Sequence, residues 1–466
     1  MGICMVEPGS LSGRLLVPPS KSMGHRALFC AGLADGDSTI DNLVLSDDML
    51  ATIAALKALG IGISVRRSER FSARMTAHVC GTGRICPTGE VIDCHESGST
   101  ARFVLPVSRL SPEPVTFTGR NRLMDRPFGL FRGLFEGKGV AMEDRDGCLP
   151  VTLTGELQSG TFRLPGNVSS QFITGLLFVL PLLSGDSEIQ IEGPLESAPY
   201  VEMTIDMLAQ FGVTAELTLL SGAASAEGEP AVDGTMDGSQ KTGVSLTPAL
   251  GASLHVPGRQ AYRAAAVEIE GDWSQAAFWA VAGALGHALT LEGLSETSRQ
   301  GDREVVGILR RMGADVHQAS DGLHISAPRD GLVAVDMDVA QCPDLVPALA
   351  IAAAHATGTS RILNAARLRI KESDRLAAMR TQLERLGSGV IERPDGLDVP
   401  GTPQGLTGGT VDGCGDHRIV MAMAIAATRA SGPVSIEGME AVRKSYPDFW
   451  DDFRQVGGFA HEQHVG

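Results

Sequence analysis

No Cys-x-x-Cys pair occurs among the eight cysteines, which stand at 4, 30, 80, 86, 94, 148, 342 and 414. That spacing fits reduced thiols better than a disulfide framework or a zinc site. Long apolar runs are also missing. The longest, Phe172 to Leu183, falls short of the roughly 20 residues that span a bilayer and carries a helix start of its own, so no membrane segment is expected. Met1 to Pro8 has no basic stretch followed by an apolar one, so the chain does not read as secreted and a cytoplasmic location is expected. Positive charge is short as well: 39 Lys and Arg face 55 Asp and Glu, a net charge of -16. A general nucleic-acid binder needs a basic surface, so that class is excluded and any anion site has to be local. A Gly-x4-Gly-Lys-Ser/Thr loop is absent, which removes the usual cradle for a nucleoside triphosphate. What is present is bulk: 466 residues, 43% of them hydrophobic, are enough for a large core divided over more than one domain.

One pattern recurs along the chain: a polar capping residue, an apolar stretch rich in Ala, Leu and Val, a Gly or Pro turn, then a short alternating strand. Its anchors are Ser20, Ser97, Ser169, Asp272, Asp344 and Asp416. Successive anchors lie about 72 residues apart, with one interval longer by about 30; this exceeds solenoid periods and points to a larger βα module repeated. The excess coincides with residues 221–243, rich in Gly, Ala, Ser and acidic residues and without apolar period, which reads as a mobile surface insertion. Six modules divide naturally into three plus three, with the break expected near Val256 to Ala265, where Pro257-Gly258 interrupts the pattern.

Helix starts carry unpaired N–H groups and the positive end of the helix dipole, so stability alone favours Asp or Glu there. Lys21, Arg375 and Arg418 break that rule. Lys371 and Arg375 are four residues apart, and on one helix they would share a face and repel. A bound anion relieves both conflicts. Any one of these cations taken alone also fits a solvated side chain or a partner of Asp374 or Asp416.

The local sequences then carry a resemblance. Pro19-Ser20-Lys21-Ser22-Met23-Gly24-His25-Arg26-Ala27-Leu28, Leu368-Arg369-Ile370-Lys371-Glu372-Ser373-Asp374-Arg375-Leu376 and Gly415-Asp416-His417-Arg418-Ile419-Val420-Met421-Ala422 resemble signatures of the enolpyruvylshikimate-phosphate synthases. Ser169-Ser170-Gln171-Phe172, Arg122-Leu123-Met124-Asp125-Arg126-Pro127 and Lys444-Ser445-Tyr446-Pro447-Asp448-Phe449 support it, and the matches run in order from residue 14 to about 450.

The resemblance implies a two-domain inside-out α/β barrel of six βαβαββ units, three per domain, with helices inside and sheets outside. Because the family's chain crosses between domains twice, residues 1–19 plus 264–466 are expected to form one domain and 20–263 the other. The implied reaction moves the enolpyruvyl group of phosphoenolpyruvate to the 5-hydroxyl of shikimate-3-phosphate, a step toward chorismate and the aromatic amino acids. It uses no metal and no organic cofactor. By the family's pattern, shikimate-3-phosphate is held by Ser22, Arg26, Ser169, Ser170, Ser197 and Lys371, with Tyr200 nearby. Phosphoenolpyruvate is gripped by Lys21, Arg122, Gln171, Arg375, Arg418 and Lys444, with Gly98 and Ser99 beside it. Glu372 is the expected acid-base group for the donor methylene and Asp344 for the acceptor hydroxyl, while Lys21 stabilises developing charge. In isolation, Glu372 reads more readily as an intrahelical ion pair and Asp344 as a helix cap; the motif context reverses this. His25 and His417, each next to Arg, are read as structural or orienting.

Two positions depart from the commonest pattern: Glu96 stands where many members have Asn, and Arg367 where others carry Asn or an acidic residue near the shikimate. A UDP-N-acetylglucosamine enolpyruvyl transferase shares the implied fold and donor, but its Lys-Asn opening and loop Cys are not in place. A non-catalytic anion-binding protein of the same fold is opposed by Lys21, Asp344 and Glu372 being intact. A monomer acting on small molecules, with no nucleic acid and no membrane as partner, is the resulting expectation.

Overall fold

The computed structural model describes residues 2–71, 73–220, 251–402 and 405–464. The expected insertion at 221–243 lies outside the described residues.

Alternating strands and short hairpins assemble into six four-stranded sheets of one design. In the sheet nearest the insertion, Thr161–Pro165 runs parallel to Ser187–Glu192. Ser187–Glu192 pairs antiparallel with Gly251–Val256, which in turn pairs with Glu216–Leu220. The other sheets repeat this one parallel pair followed by two antiparallel pairings, as a βαβαββ unit gives; in the last sheet the outer antiparallel pair joins Gly2–Glu7 to Phe459–His464, the two ends of the described chain. Each sheet turns one face inward, as the strict buried and half-exposed alternation of Ser187–Glu192 illustrates.

Three of these sheets enclose each of two hydrophobic cores. One core draws on Ala27 to Ile269, the other on Cys4 to Val17 together with Trp273 to Ala460. Inside the first lie the helices Lys21–Leu33, Gly98–Val107 and Ser170–Val179; inside the second lie Trp273–Ala284, Val346–Ala354 and His417–Ala427. Beyond their polar first turns they are largely apolar on every side, as a helix covered all round demands, and every residue of the Ala-rich Trp273–Ala284 is buried. Phe29, Phe103 and Phe178, one from each helix of the first core, meet with ring centroids 5.3 to 5.6 Å apart. Such pairs add roughly 1 kcal/mol each beyond their burial. The result is an inside-out α/β arrangement, helices within and sheets without.

The two cores exchange strands. Ser12–Leu16 precedes the first inner helix in sequence, yet it pairs with Ala288–Glu292 in the other half. Ala266–Glu268 returns the exchange by pairing with Thr39–Asp41. The chain therefore crosses at 269–272, later than the Pro257-Gly258 break, because this three-residue strand is too short to show a period in sequence. The two crossings touch: Ser20 N donates to Glu270 O at 2.8 Å and Asp272 N to Pro18 O at 2.8 Å. A Cβ on Gly271 would stand 2.4 Å from Gly293 O and 2.6 Å from Val17 Cγ2, so glycine lets the second crossing pass this close to the first. No helix among the described residues is long and apolar enough to cross a membrane.

Candidate active site

The six repeat anchors are the starts of the six inner helices. Ser20, Ser97, Ser169, Asp272 and Asp416 each accept a hydrogen bond from a backbone N–H of the first turn, a contact worth about 1 kcal/mol. Asp344 differs. It sits in the 3₁₀ turn Pro343–Leu345 that leads into Val346–Ala354, and its carboxylate makes no cap but enters the space between the halves. Five helix starts line one enclosed cleft there, through Lys21 and Ser22, Gly98 and Ser99, Ser169 and Ser170, Asp344, and His417 and Arg418. The sixth reaches it through Asp272, whose Oδ2 accepts Lys21 N at 3.0 Å. The cleft encloses a free volume of about 80 Å³.

Two carboxylates dominate its charge pattern. Asp344 contacts Arg375 Nη1 at 2.8 Å, Arg418 Nη2 at 3.2 Å and Lys371 Nζ at 3.6 Å. Burial by itself would raise its pKa, but Arg418, Lys371 and Arg375 outweigh burial and hold it far below the carboxylate range. Glu372 contacts Arg375 Nη2 at 2.8 Å and Arg126 Nη1 at 3.6 Å. Burial is again the largest influence and again is overcome, here by Arg375, Arg126 and Lys371, so Glu372 also rests ionised. Arg375 is the hub: 1% exposed, it adds Asp416 through Nε at 2.8 Å and so touches three carboxylates. Lys371 does not share a helix with it, contrary to the reading of their four-residue spacing. Lys371 follows the 3₁₀ turn Ala366–Ile370, and Asp374 caps a new helix at Arg375–Arg385. Their repulsion is absorbed by Asp344 between them.

On the opposite wall, Lys21 Nζ meets Asp48 Oδ2 at 2.7 Å. Gln171 donates to Ser99 Oγ and accepts from Arg102 Nη1, both at 2.8 Å. Arg26 and Arg102 are fully buried without a carboxylate partner. Burial lowers Arg26 to about 10 and, with Arg126 nearby, Arg102 to about 9, so both remain cations at neutral pH. Arg26 spends its donors on Thr204, Thr174 and the carbonyls of Ser22 and Tyr200, while Arg102 lies over the rings of Phe128 and Phe172. Tyr200 donates across the cleft to Asp302 Oδ2 at 2.8 Å, and Ser274 Oγ donates to the same oxygen. Burial first, and Asp344 second, push Asp302 up to about 6. His25 is buried against Thr52; His417 lines the cleft with no hydrogen-bond partner on either ring nitrogen, its Nδ1 lying 3.7 Å from Asp416; burial lowers the pKa of both.

The cleft thus gathers Lys21, Ser22, Arg26, Gly98, Ser99, Ser169, Ser170, Gln171, Ser197, Tyr200, Asp344, Lys371, Glu372, Arg375 and Arg418. Two expected residues lie elsewhere. Arg122 and Lys444 line an adjoining outer groove, Arg122 donating to Arg369 O and Lys444 paired with Glu96 at 2.5 Å and Gly415 O at 2.7 Å. The 3₁₀ turns Asn121–Asp125 and Met439–Lys444 aim both side chains outward. Arg126, four residues on, takes the place expected of Arg122. Pro127 after it favours an extended backbone, which carries Arg126 out of the turn and into the cleft. Arg126 stood in the quoted motif, so proline placement was the available signal. Asp48 and Arg102 gave none: an acid in the first turn of Asp47–Ala58 reads as a dipole partner, and an Arg inside an apolar helix reads as a packing accident.

The family model for EPSP synthase (3-phosphoshikimate 1-carboxyvinyltransferase) matches residues 6–219 and 216–453. A 3-phosphoshikimate 1-carboxyvinyltransferase of Clostridium kluyveri is 42% identical over 461 residues, covering 99% of each chain. Its counterpart in Clostridium novyi is 41% identical, again over 99% of each. Among solved structures, EPSP synthase from Acinetobacter baumannii superimposes with a TM-score of 0.76 at 24% identity over the whole of both chains. The enolpyruvyl transferase NikO from Streptomyces tendae gives 0.71 at 17% identity, covering 100% of this chain and 99% of its own. These two likenesses speak for the fold; the family-model match and the full-length relatives place this chain in the EPSP synthase family.

Proposed function

We propose that the chain transfers the enolpyruvyl group of phosphoenolpyruvate to the 5-hydroxyl of shikimate-3-phosphate, releasing phosphate by addition and elimination. The observation that carries this reading is the pair Asp344 and Glu372, both ionised and both set among Lys371, Arg375, Arg126 and Arg418 in a cleft between two halves. Two polyanionic substrates require such cations, and the reaction requires two proton-transfer groups. Asp344, held ionised, takes the hydroxyl proton as the acceptor oxygen bonds to C2 of the donor. Glu372 must supply a proton to the methylene carbon. The donor's carboxylate and phosphate compete for Arg126 and Arg375, loosening their hold on Glu372 and raising its proton affinity. Phosphate then leaves with the proton that Asp344 had taken, as the new methyl group returns one to Glu372, and both carboxylates are ionised again. Lys21, fixed by Asp48, faces the charge that develops on the way. Ser22, Ser169, Ser170, Ser197 and Lys371 suit the acceptor's phosphate dianion. No step of this scheme needs a metal or an organic cofactor.

The two halves on either side of the crossings act as domains that close over the substrates, and the chain works as a cytoplasmic monomer. Phosphate release from phosphoenolpyruvate, measured with shikimate-3-phosphate, with UDP-N-acetylglucosamine and with no acceptor, tests the reading. Release only with shikimate-3-phosphate is expected; release with the nucleotide sugar instead, or none from a folded sample, overturns it. Glu372→Gln and Asp344→Asn are each expected to lower kcat about 100-fold or more. Full activity in either variant would remove that residue from the mechanism.

A further inference from the structure

Residues 195–200 belong by chain to the first core, yet the opposite half holds them. Gln341 Nε2 donates to Leu195 O at 3.1 Å, Ser197 N donates to Ala340 O at 3.2 Å, and Ala198 N donates to Gln341 Oε1 at 2.8 Å. Arg367 makes the densest of these links. Its Nε pairs with Glu196, Nη1 donates to Ser197 Oγ at 3.1 Å, and Nη2 donates to Ala340 O at 2.7 Å. One guanidinium thereby meets Glu196, Ser197 and Ala340 at once, through an ion pair and two hydrogen bonds, and the side chain still lines the cleft.

Ser197 is the residue most affected. It adopts the left-handed region, φ 55° and ψ 37°, which a side chain other than glycine or asparagine enters at a cost unless its surroundings impose it. The contacts to Ala340 and Arg367 impose it from across the cleft. A serine hydroxyl has one proton to donate. Because Ser197 Oγ accepts from a cation, that proton is left free for an acceptor in the cleft and is polarised toward it. Ser22, Ser169 and Ser170 line the same cleft as this hydroxyl, beside the cations Arg26 and Lys371.

We infer that Arg367 is a positioning residue for the acceptor's phosphate: from the opposite half it fixes Ser197 with its hydroxyl proton turned to the cleft. This rests on the acceptor reading given above. Because Arg367 stands on one half and Ser197 on the other, the hydroxyl is held this way only while the two halves are together. With phosphate bound, it and Arg367 hold opposite sides of the same hydroxyl. A planar fork is needed for the three-way contact, so lysine, which keeps only the charge, does not replace it.

The test uses Arg367→Lys, Arg367→Met, Ser197→Ala and the Arg367→Met/Ser197→Ala pair, each confirmed folded by its thermal melt. Both arginine variants and Ser197→Ala are expected to raise KM for shikimate-3-phosphate about 10- to 100-fold. KM for phosphoenolpyruvate should stay within about threefold, and the double variant should be no worse than the worse single one. A near-normal lysine variant, additive losses, or equal rises in both KM values would overturn the inference, since they indicate direct charge binding or a purely structural clasp. Inorganic phosphate titrated calorimetrically into the same proteins separates the two readings. If the wild type binds phosphate through Ser197 and Arg367 non-additively but turns nothing over, positioning stands and the enzymatic reading falls. If it turns over and phosphate binding ignores Arg367, the positioning role falls.

Discussion

A Cβ placed on Gly98 would lie 2.7 Å from Arg126 Nη1 and 3.0 Å from Arg102 Nη1. Both contacts are to the ends of long side chains, so Gly98→Ala should fold normally while displacing two cations at the helix start. KM for phosphoenolpyruvate is expected to rise about 10-fold with little change for the acceptor, as steady-state kinetics will show; an unchanged donor KM would mean that neither arginine touches the donor. Asp302 makes a different prediction, in stability. Its folded pKa of about 6 lies above the ordinary 3.8, so between pH 4 and 6 the folded chain binds more protons than the unfolded chain. Stability from this site is therefore greatest below pH 4 and falls as pH rises through 6. Asp302→Asn cannot titrate, so its melting temperature should gain on the wild type between pH 4.5 and 7.5; parallel curves would show that Asp302 is ionised at both.

Among the elements, the inner helices are packed closely enough for one methyl group to matter. On Ser170–Val179, a Cβ at Gly175 would stand 2.3 Å from Arg102 O on Gly98–Val107. Backbone cannot retreat as a side-chain tip can. Gly175→Ala should therefore destabilise the fold by about 3 kcal/mol in denaturant unfolding, the upper end for core overpacking. The inner helices were legible because capping and composition are local. The 3₁₀ turns were not: six residues at Met439–Lys444 aim Lys444 at Glu96 rather than into the cleft, and no periodicity reveals the direction of so short a turn.

For the whole molecule, the hairpin that flanks the expected insertion offers a direct test. Leu220 and Gly251 are partners in register on neighbouring strands, so the chain between them leaves and re-enters at one place. Replacing 221–250 by a two-residue Asn-Gly turn should preserve the melting transition and turnover, because the cleft is lined by neither strand. Loss of turnover in a folded variant would give the segment a role in the chemistry. The cross-half contacts of Arg367, Tyr200 and Lys444 tie the same two bodies together on different sides of the cleft.

Read alone, the sequence determined the six-fold repetition, the apolar inner helices and the polar residues that start them. All three depend on neighbours within a turn or two, through capping, period and composition. The crossing at 269–272, the choice of Arg126 over Arg122 and the service of Arg367 to Ser197 were decided only in the tertiary structure. So was the lifting of Asp302 by burial and, second, by Asp344. Partners such as Tyr200 and Asp302, 102 residues apart, or Ser197 and Arg367, 170 apart, meet only once two cores have exchanged strands and closed. The orientation and proton affinity of a side chain are set by whatever stands within a few ångströms, and in this fold that neighbour comes from the other half.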